Sequence, residues 1–219
     1  MANAIDKLID EYQRAYGNIP DEPSEQFEYF CEMYKITEKD KIKFLEDAER
    51  LLTEKWEGFN ITLPIAPMAS RRPRTSGDGH IYVPDINKHR KLVQRFIDYK
   101  GIVYTLCTID IDIYVEIPST MTKKEAYLAQ MGLLRPLGPD WDNYAKTYCD
   151  CIQNTLIIND NIIVDGTCRK FYSIKPRVEI TISYQPSFDS KYNKRRIINS
   201  KSYIRNKERI ECNEYTKEE

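Results

Sequence analysis

Apolar residues in the first 57 positions recur at helical spacing. Ile5, Leu8, Ile9, Tyr12 and Tyr16 return every three to four residues and predict a first helix. The stretch Gly17 to Pro23 breaks the pattern. Ser24 is then the expected N-cap of a second helix carrying Phe27, Phe30, Cys31 and Tyr34. Thr37 with Asp40 three residues later predicts a capped third helix. That helix would set Ile42, Leu45, Ala48, Leu52 and Trp56 on one stripe. Such stripes imply packing or dimerisation, and residues 1–57 read as a helical N-terminal extension.

At Gly58 the period changes from helical to alternating. Phe59, Ile61 and Leu63 alternate with polar residues, as a half-buried strand does. A turn at Gly77-Asp78-Gly79 leads to a short strand at His80 to Val83. From Asp85 the pattern is helical again, with Leu92, Val93, Phe96 and Ile97 expected inward. Residues 102–117 alternate strongly through Val103, Ile109, Ile111, Ile113, Val115 and Ile117 and predict a long strand. A short helix opens at Thr122, and residues 142–154 predict another, with Trp141, Ala145, Tyr148 and Ile152 facing the core. Ile162 to Val164 begins a strand, and Val178 to Ile182 closes the series. After Pro186 the chain turns polar and basic, so residues 187–219 are expected to form a mobile tail. The whole is an α+β pattern: one domain over residues 58–186 between two appended segments.

Charge changes this picture. The chain carries 33 basic and 34 acidic side chains, for a net of -1. The average hides a gradient. Residues 1–58 hold 8 basic and 15 acidic groups, residues 59–186 hold 16 and 13, and residues 187–219 hold 9 and 6. An acidic head thus masks a basic remainder of the kind that meets phosphates. Arg71, Arg72, Arg74, Lys88, Lys123 and Lys124 are the candidate phosphate contacts.

Composition excludes several classes. No apolar run approaches the roughly 20 residues of a membrane span, and no basic-then-apolar leader opens the chain. The six cysteines follow no CxxC spacing and read as reduced thiols in a cytoplasm. Two histidines, His80 and His89, leave little material for a His-rich metal site or a catalytic triad.

The chemically informative stretch is Gly138-Pro139-Asp140-Trp141-Asp142-Asn143, continued by Lys146 and Asp150. Asp140 or Asp142 is placed to cap the following helix. Asp142, Lys146 and Asp150 are four apart and share one helix edge. Carboxylates so grouped bind a hard cation such as Mg²⁺, which neutralises phosphate charge and activates water. A lysine beside them meets a phosphate oxygen or steadies developing charge. Asp160 and Asp165 form a second acidic patch. Because consecutive elements commonly lie side by side, Asp160 is expected to return to the Asp140 end. The competing readings of a D-x-D are an ordinary helix cap and a nucleotide-sugar site.

These residues, taken together, resemble the RusA family of Holliday junction resolvases. The family carries K/R-P-D-x-D-N-x-x-K, a hydrophobic segment, a D-D turn, a short strand and a final P-R-x-E-I strand. Here they stand as Pro139-Asp140-Trp141-Asp142-Asn143 with Lys146, then Asn159-Asp160, Ile162-Ile163-Val164 and Pro176-Arg177-Val178-Glu179-Ile180. The family's R-P-R opening matches Arg72-Pro73-Arg74, and its S-x-x-K-K helix matches Thr120 to Lys124. The likeness spans about residues 59–184. It implies a small mixed β-sheet flanked by helices, a homodimer, and a Mg²⁺-dependent (or Mn²⁺-dependent) endonuclease on four-way DNA junctions. It further implies Asp140, Asp142 and Asp160 as metal-binding carboxylates and Lys146 as a catalytic lysine. Two departures stand out. Asn159 replaces the first acid of the D-D turn, and Gly138 replaces the basic residue before Pro139, leaving Arg135 as a substitute cation. Alternatives are a nuclease for flaps or forks and a branched-DNA binder without catalysis.

Overall fold

The computed structural model describes residues 4–70, 74, 75, 77, 81, 82, 86–188 and 190–210, with the backbone alone at 4–6, 74, 75, 81 and 82. The chain divides into two compact units, Met1–Glu54 and Lys55–Glu219.

The first unit consists of α1 (Ala4–Tyr16), α2 (Pro23–Met33) and α3 (Glu38–Thr53). The N-cap of α2 is Glu22 rather than Ser24, because Pro23 takes the first helical position, where its missing N–H costs nothing. Thr37 does cap α3 through a reciprocal box: its hydroxyl accepts from the Asp40 N–H, and the Asp40 carboxylate accepts from the Thr37 N–H at 3.0 Å. The apolar stripes keep their spacing but not their expected burial. Leu8, Tyr12, Phe27, Leu45 and Leu52 are all exposed, and Cys31 is the buried residue of these helices among those described.

The second unit opens with β1 (Glu57–Leu63), a small hairpin of β2 (Arg74–Thr75) and β3 (Ile81–Tyr82), and α4 (Ile86–Arg95). Then come β4 (Cys107–Glu116), α5 (Lys123–Gln130), α6 (Trp141–Ile152), β5 (Ile163–Ser173) and β6 (Arg177–Tyr184). The main sheet has the order β1-β6-β4-β5. Strand β6 pairs antiparallel with β1 and β4, whereas β4 and β5 run parallel. The parallel pair exists because α5 and α6 supply the long crossover that parallel strands require. The last strand therefore inserts between the first strand and the long one. This is the α+β architecture that the alternation implied, with the mixed sheet that the resemblance implied.

Alternation along β4 explains the sheet's sidedness. Cys107, Ile109, Ile111 and Ile113 are buried, while Thr108, Asp110 and Asp112 between them are partly exposed. Val178, Ile180 and Ile182 of β6 and Ile61 and Leu63 of β1 join the same buried cluster. Tyr144, Tyr148, Cys151 and Ile152 of α6 fill it from the other side. The opposite face is polar: Arg169 pairs with Asp112 at 2.6 Å, and Thr167 donates to Asp110.

Residues 190–210 correct the expectation of a loose tail. They form α7 (Lys191–Ile198), α8 (Lys201–Arg205) and a last turn; Ile197 of α7 and Ile210 of that turn are buried in the core cluster. Arg209 clamps this segment by donating to the carbonyls of Gly101, Asn154 and Thr155 at 2.7–3.1 Å. Ile197, Ile198, Ile204 and Ile210 among the charges were the signal; by period alone they support a marginal helix at most.

Candidate active site

Helix α6 is set by its buried face. Tyr148 is fully buried, and its hydroxyl accepts from the Met68 N–H at 3.2 Å and lies 3.2 Å from His89 Nε2 of α4. Burial lowers the pKa of His89 and raises that of Tyr148, so both stay neutral around pH 7. The buried residues are Tyr144, Thr147, Tyr148, Cys151 and Ile152. Trp141, expected in the core, is 58% exposed, because it opens the helix before the packed turns begin.

The approach to α6 is held by a lysine that the sequence did not single out. Lys170 of β5 donates to the carbonyls of Leu137 and Pro139 at 2.9 and 2.8 Å. This ammonium bridges the two carbonyls that flank Gly138, the position at which the resembled motif carries a basic residue. Arg135, expected there, instead donates to the Lys170 carbonyl at 3.1 Å and stacks on Phe171. Asp140 is the N-cap residue, with extended backbone and no side-chain capping bond. Asp142 lies in the first turn, where the helix N-terminus favours negative charge. Both carboxylates are exposed. Lys146, also exposed, follows one turn later, and among the described residues no ion pair joins it to Asp142. The first turn is also tied to the basic segment's entry, since the Ser70 N–H donates to the Asn143 carbonyl at 3.2 Å.

Asp160 lies elsewhere along the helix. It begins a single 3₁₀ turn, Asp160–Ile162, whose N-cap Asn159 accepts from the Asn161 N–H at 3.0 Å. Gln153, just past the C-terminus of α6, donates to Asp160 at 3.5 Å. The Cys149 thiol is pushed up to about 11 by burial, with the nearby Asp160 and Asp150 carboxylates adding to it. Strand β5 runs back along α6, with Lys170 beside Pro139, Cys168 against Ala145 and Asp160 beside Cys149. The expected return of Asp160 to the helix start is therefore not what the fold produces. Nine residues of helix separate Asp140 from Cys149, roughly 13 Å along the axis. The acids thus lie toward the two ends of α6: Asp140 is its N-cap and Asp142 is in its first turn, whereas Asp150 is near its end and Asp160 follows in the 3₁₀ turn beyond it, with Lys146 between. Among the described residues no group of three or more His, Cys, Asp or Glu side chains is arranged to hold a metal ion.

The remaining candidates are placed as follows. Arg71 and Arg72 lie outside the described residues, and Arg74 is in β2 with only its backbone described. Lys88 is exposed near the start of α4, and Lys123 and Lys124 are exposed in the first turn of α5. Asp165 aligns with Thr108 in β5 and so belongs to the polar sheet face.

Comparison with known proteins locates the resemblance. The model of the endodeoxyribonuclease RusA matches residues 64–183. An uncharacterized protein of Bacillus subtilis (strain 168), YqaN, is 34% identical over 126 residues, which cover 53% of this chain and 89% of YqaN.

Proposed function

Because this chain belongs to the RusA endodeoxyribonuclease family, we propose that it resolves four-way DNA junctions by paired, cation-dependent nicks in recombination and repair. The observation that carries this reading is the start of α6. Two exposed carboxylates, Asp140 and Asp142, stand about one turn before the ammonium of Lys146, which has no ion-pair partner among the described residues. Hard oxygen donors of this kind suit Mg²⁺, with Mn²⁺ as an alternative, since Mg²⁺ keeps several waters and takes one or two carboxylates plus a substrate phosphate. The cation, when bound, would neutralise the phosphate and activate a water. Asp140 and Asp142 would hold it. Lys146 meets a phosphate oxygen or the leaving oxygen. Asp160 would contribute from the 3₁₀ turn past the other end of α6, beside Gln153.

Selectivity comes from junction shape and phosphate contacts. Arg71, Arg72, Arg74, Lys88, Lys123 and Lys124 supply them. A four-way junction has two-fold symmetry, and a homodimer presents two sites to opposed strands. The five described cysteines are free thiols, in keeping with work in the cytoplasm. No described helix is long and apolar enough to cross a membrane.

The test is a labelled synthetic four-way junction with and without Mg²⁺. Symmetrical nicks that require the cation support the reading. Cation-dependent cutting of flaps or forks alone would replace the substrate, and cation-independent binding without cutting would leave a DNA-binding protein. The dimer is checked separately: active protein should sediment at twice the 25.9 kDa of one chain. Activity from a species of single-chain mass would refute it.

A further inference from the structure

At the end of the sheet where α6 begins, four side chains stack in one column. Tyr114 of β4 and Phe171 of β5 are register neighbours, with ring centroids 5.1 Å apart and planes 18° from parallel. Arg177, opposite Tyr114 on β6, sets its guanidinium carbon 3.5 Å from the Tyr114 centroid. Arg135, from the loop after α5, sets its own 4.0 Å from the Phe171 centroid. The order is thus Arg135, Phe171, Tyr114, Arg177.

The two ends of the column differ. Arg177 is fixed by Glu179 at 2.6 Å, with longer bonds to the Ser173 hydroxyl and the Lys175 carbonyl, and its charge is met. Arg135 is exposed, donates to the Lys170 carbonyl, and has no further hydrogen-bond or ionic partner among the described residues. Beside the column lies a cavity of about 280 Å³, with Gln130 and Tyr172 also on its wall. That is below the roughly 300–1,000 Å³ of sites for drug-sized ligands, and it suits one planar ring system. Among the described residues Gln130 is engaged through its carbonyl oxygen, which accepts from the Ile174 N–H, and its amide donors are open to a ligand.

Unstacked nucleobases are held on aromatic rings and guanidinium planes, and the net positive end given by Arg135 favours a polyanion. Position adds the rest. Arg135 donates to the Lys170 carbonyl and the Lys170 ammonium to the Pro139 carbonyl, so around the edge strand β5 the cavity neighbours the approach to Asp140. Ligands of parallel strands gather at the strands' C-terminal ends, which is where β4 and β5 present Tyr114 and Phe171.

We propose that this column stacks one unpaired base of the substrate strand, next to the phosphate that is cut. The proposal rests on the nuclease reading above. A base seated there would anchor the strand at the branch, since bases are free to leave the stack only where pairing is interrupted.

The experiment uses the full chain, as wild type, Arg135→Ala and Arg135→Lys, with junctions carrying 2-aminopurine singly at each position around the nick. In wild type, one position within a few nucleotides of the nick should change fluorescence on binding. Arg135→Ala should lose that change and bind the junction about tenfold more weakly. Arg135→Lys, which keeps the charge but not the plane, should not restore the signal. Because Arg135 is exposed, unchanged melting temperatures are expected and control for folding. If wild type cuts junctions but no position responds, or if Arg135→Ala responds as wild type does, the stacking site is refuted and the nuclease reading stands. If wild type neither binds nor cuts junctions, the nuclease reading fails and the stacking site with it.

Discussion

Asp142→Asn is expected to abolish junction cleavage while leaving junction binding intact. The change removes one negative charge and keeps the size and hydrogen-bonding capacity of the side chain. Asn is tolerated at the start of a helix, so α6 should form as before. Contacts to DNA phosphate lose nothing, because an acid near a polyanion repels it. What is lost is half of the carboxylate pair at the helix start, where Asp140 and Asp142 stand exposed. Removing one group that stabilises transition-state charge costs on the order of a hundredfold or more in rate. Single-turnover cleavage of saturating junction measures the rate, and gel shift without divalent cation measures binding. Equal losses in both would count against a cation-holding role. Asp160→Asn should slow cleavage as well; a variant as fast as wild type would confine the chemistry to the start of α6.

Lys146→Ala is expected to cut about a hundredfold more slowly or worse, with little change in melting temperature. The contrasting view makes Lys146 half of a surface pair with Asp142, four residues earlier. Such pairs contribute roughly 0.3–0.5 kcal/mol and no chemistry. In the structure the pair is not formed, and among the described residues the Lys146 ammonium has no ionic partner. Its loss should therefore fall on the chemical step. Lys146→Arg should rescue only in part, since the planar guanidinium is bulkier and spreads its charge over a rigid fork. The check is single-turnover cleavage at fixed Mg²⁺ beside thermal melting. Cleavage by Lys146→Ala within about threefold of wild type would leave the carboxylates as the whole of the site.

Local features of this protein were legible in the chain alone. The Thr37 and Thr122 capping boxes, the alternating β4 and the helix after Pro139 depend on neighbours within a few residues. So did the setting of Asp142 and Lys146 one turn apart, because helical spacing alone dictates it. The order of motifs also pointed to the family, which the match over residues 64–183 bears out.

Other features were decided by contacts between distant segments. The pattern of α6 is compatible with more than one inward face; packing on Tyr148, His89 and Met68 chose the one that leaves Trp141 exposed. Asp160 is ten residues nearer to Asp150 than to Asp140 in sequence, but only the run of β5 back along α6 put it beside Cys149. Ile197 and Ile210 looked stranded in a basic tail until the core offered them a buried surface worth more than solvation of their neighbours. Lys170 and Arg135, 35 residues apart, meet at the entrance to α6 because β5 is an edge strand beside that loop. A side chain's period is written in its own segment, whereas its partner is set by strand order, and strand order is a property of the whole chain's packing.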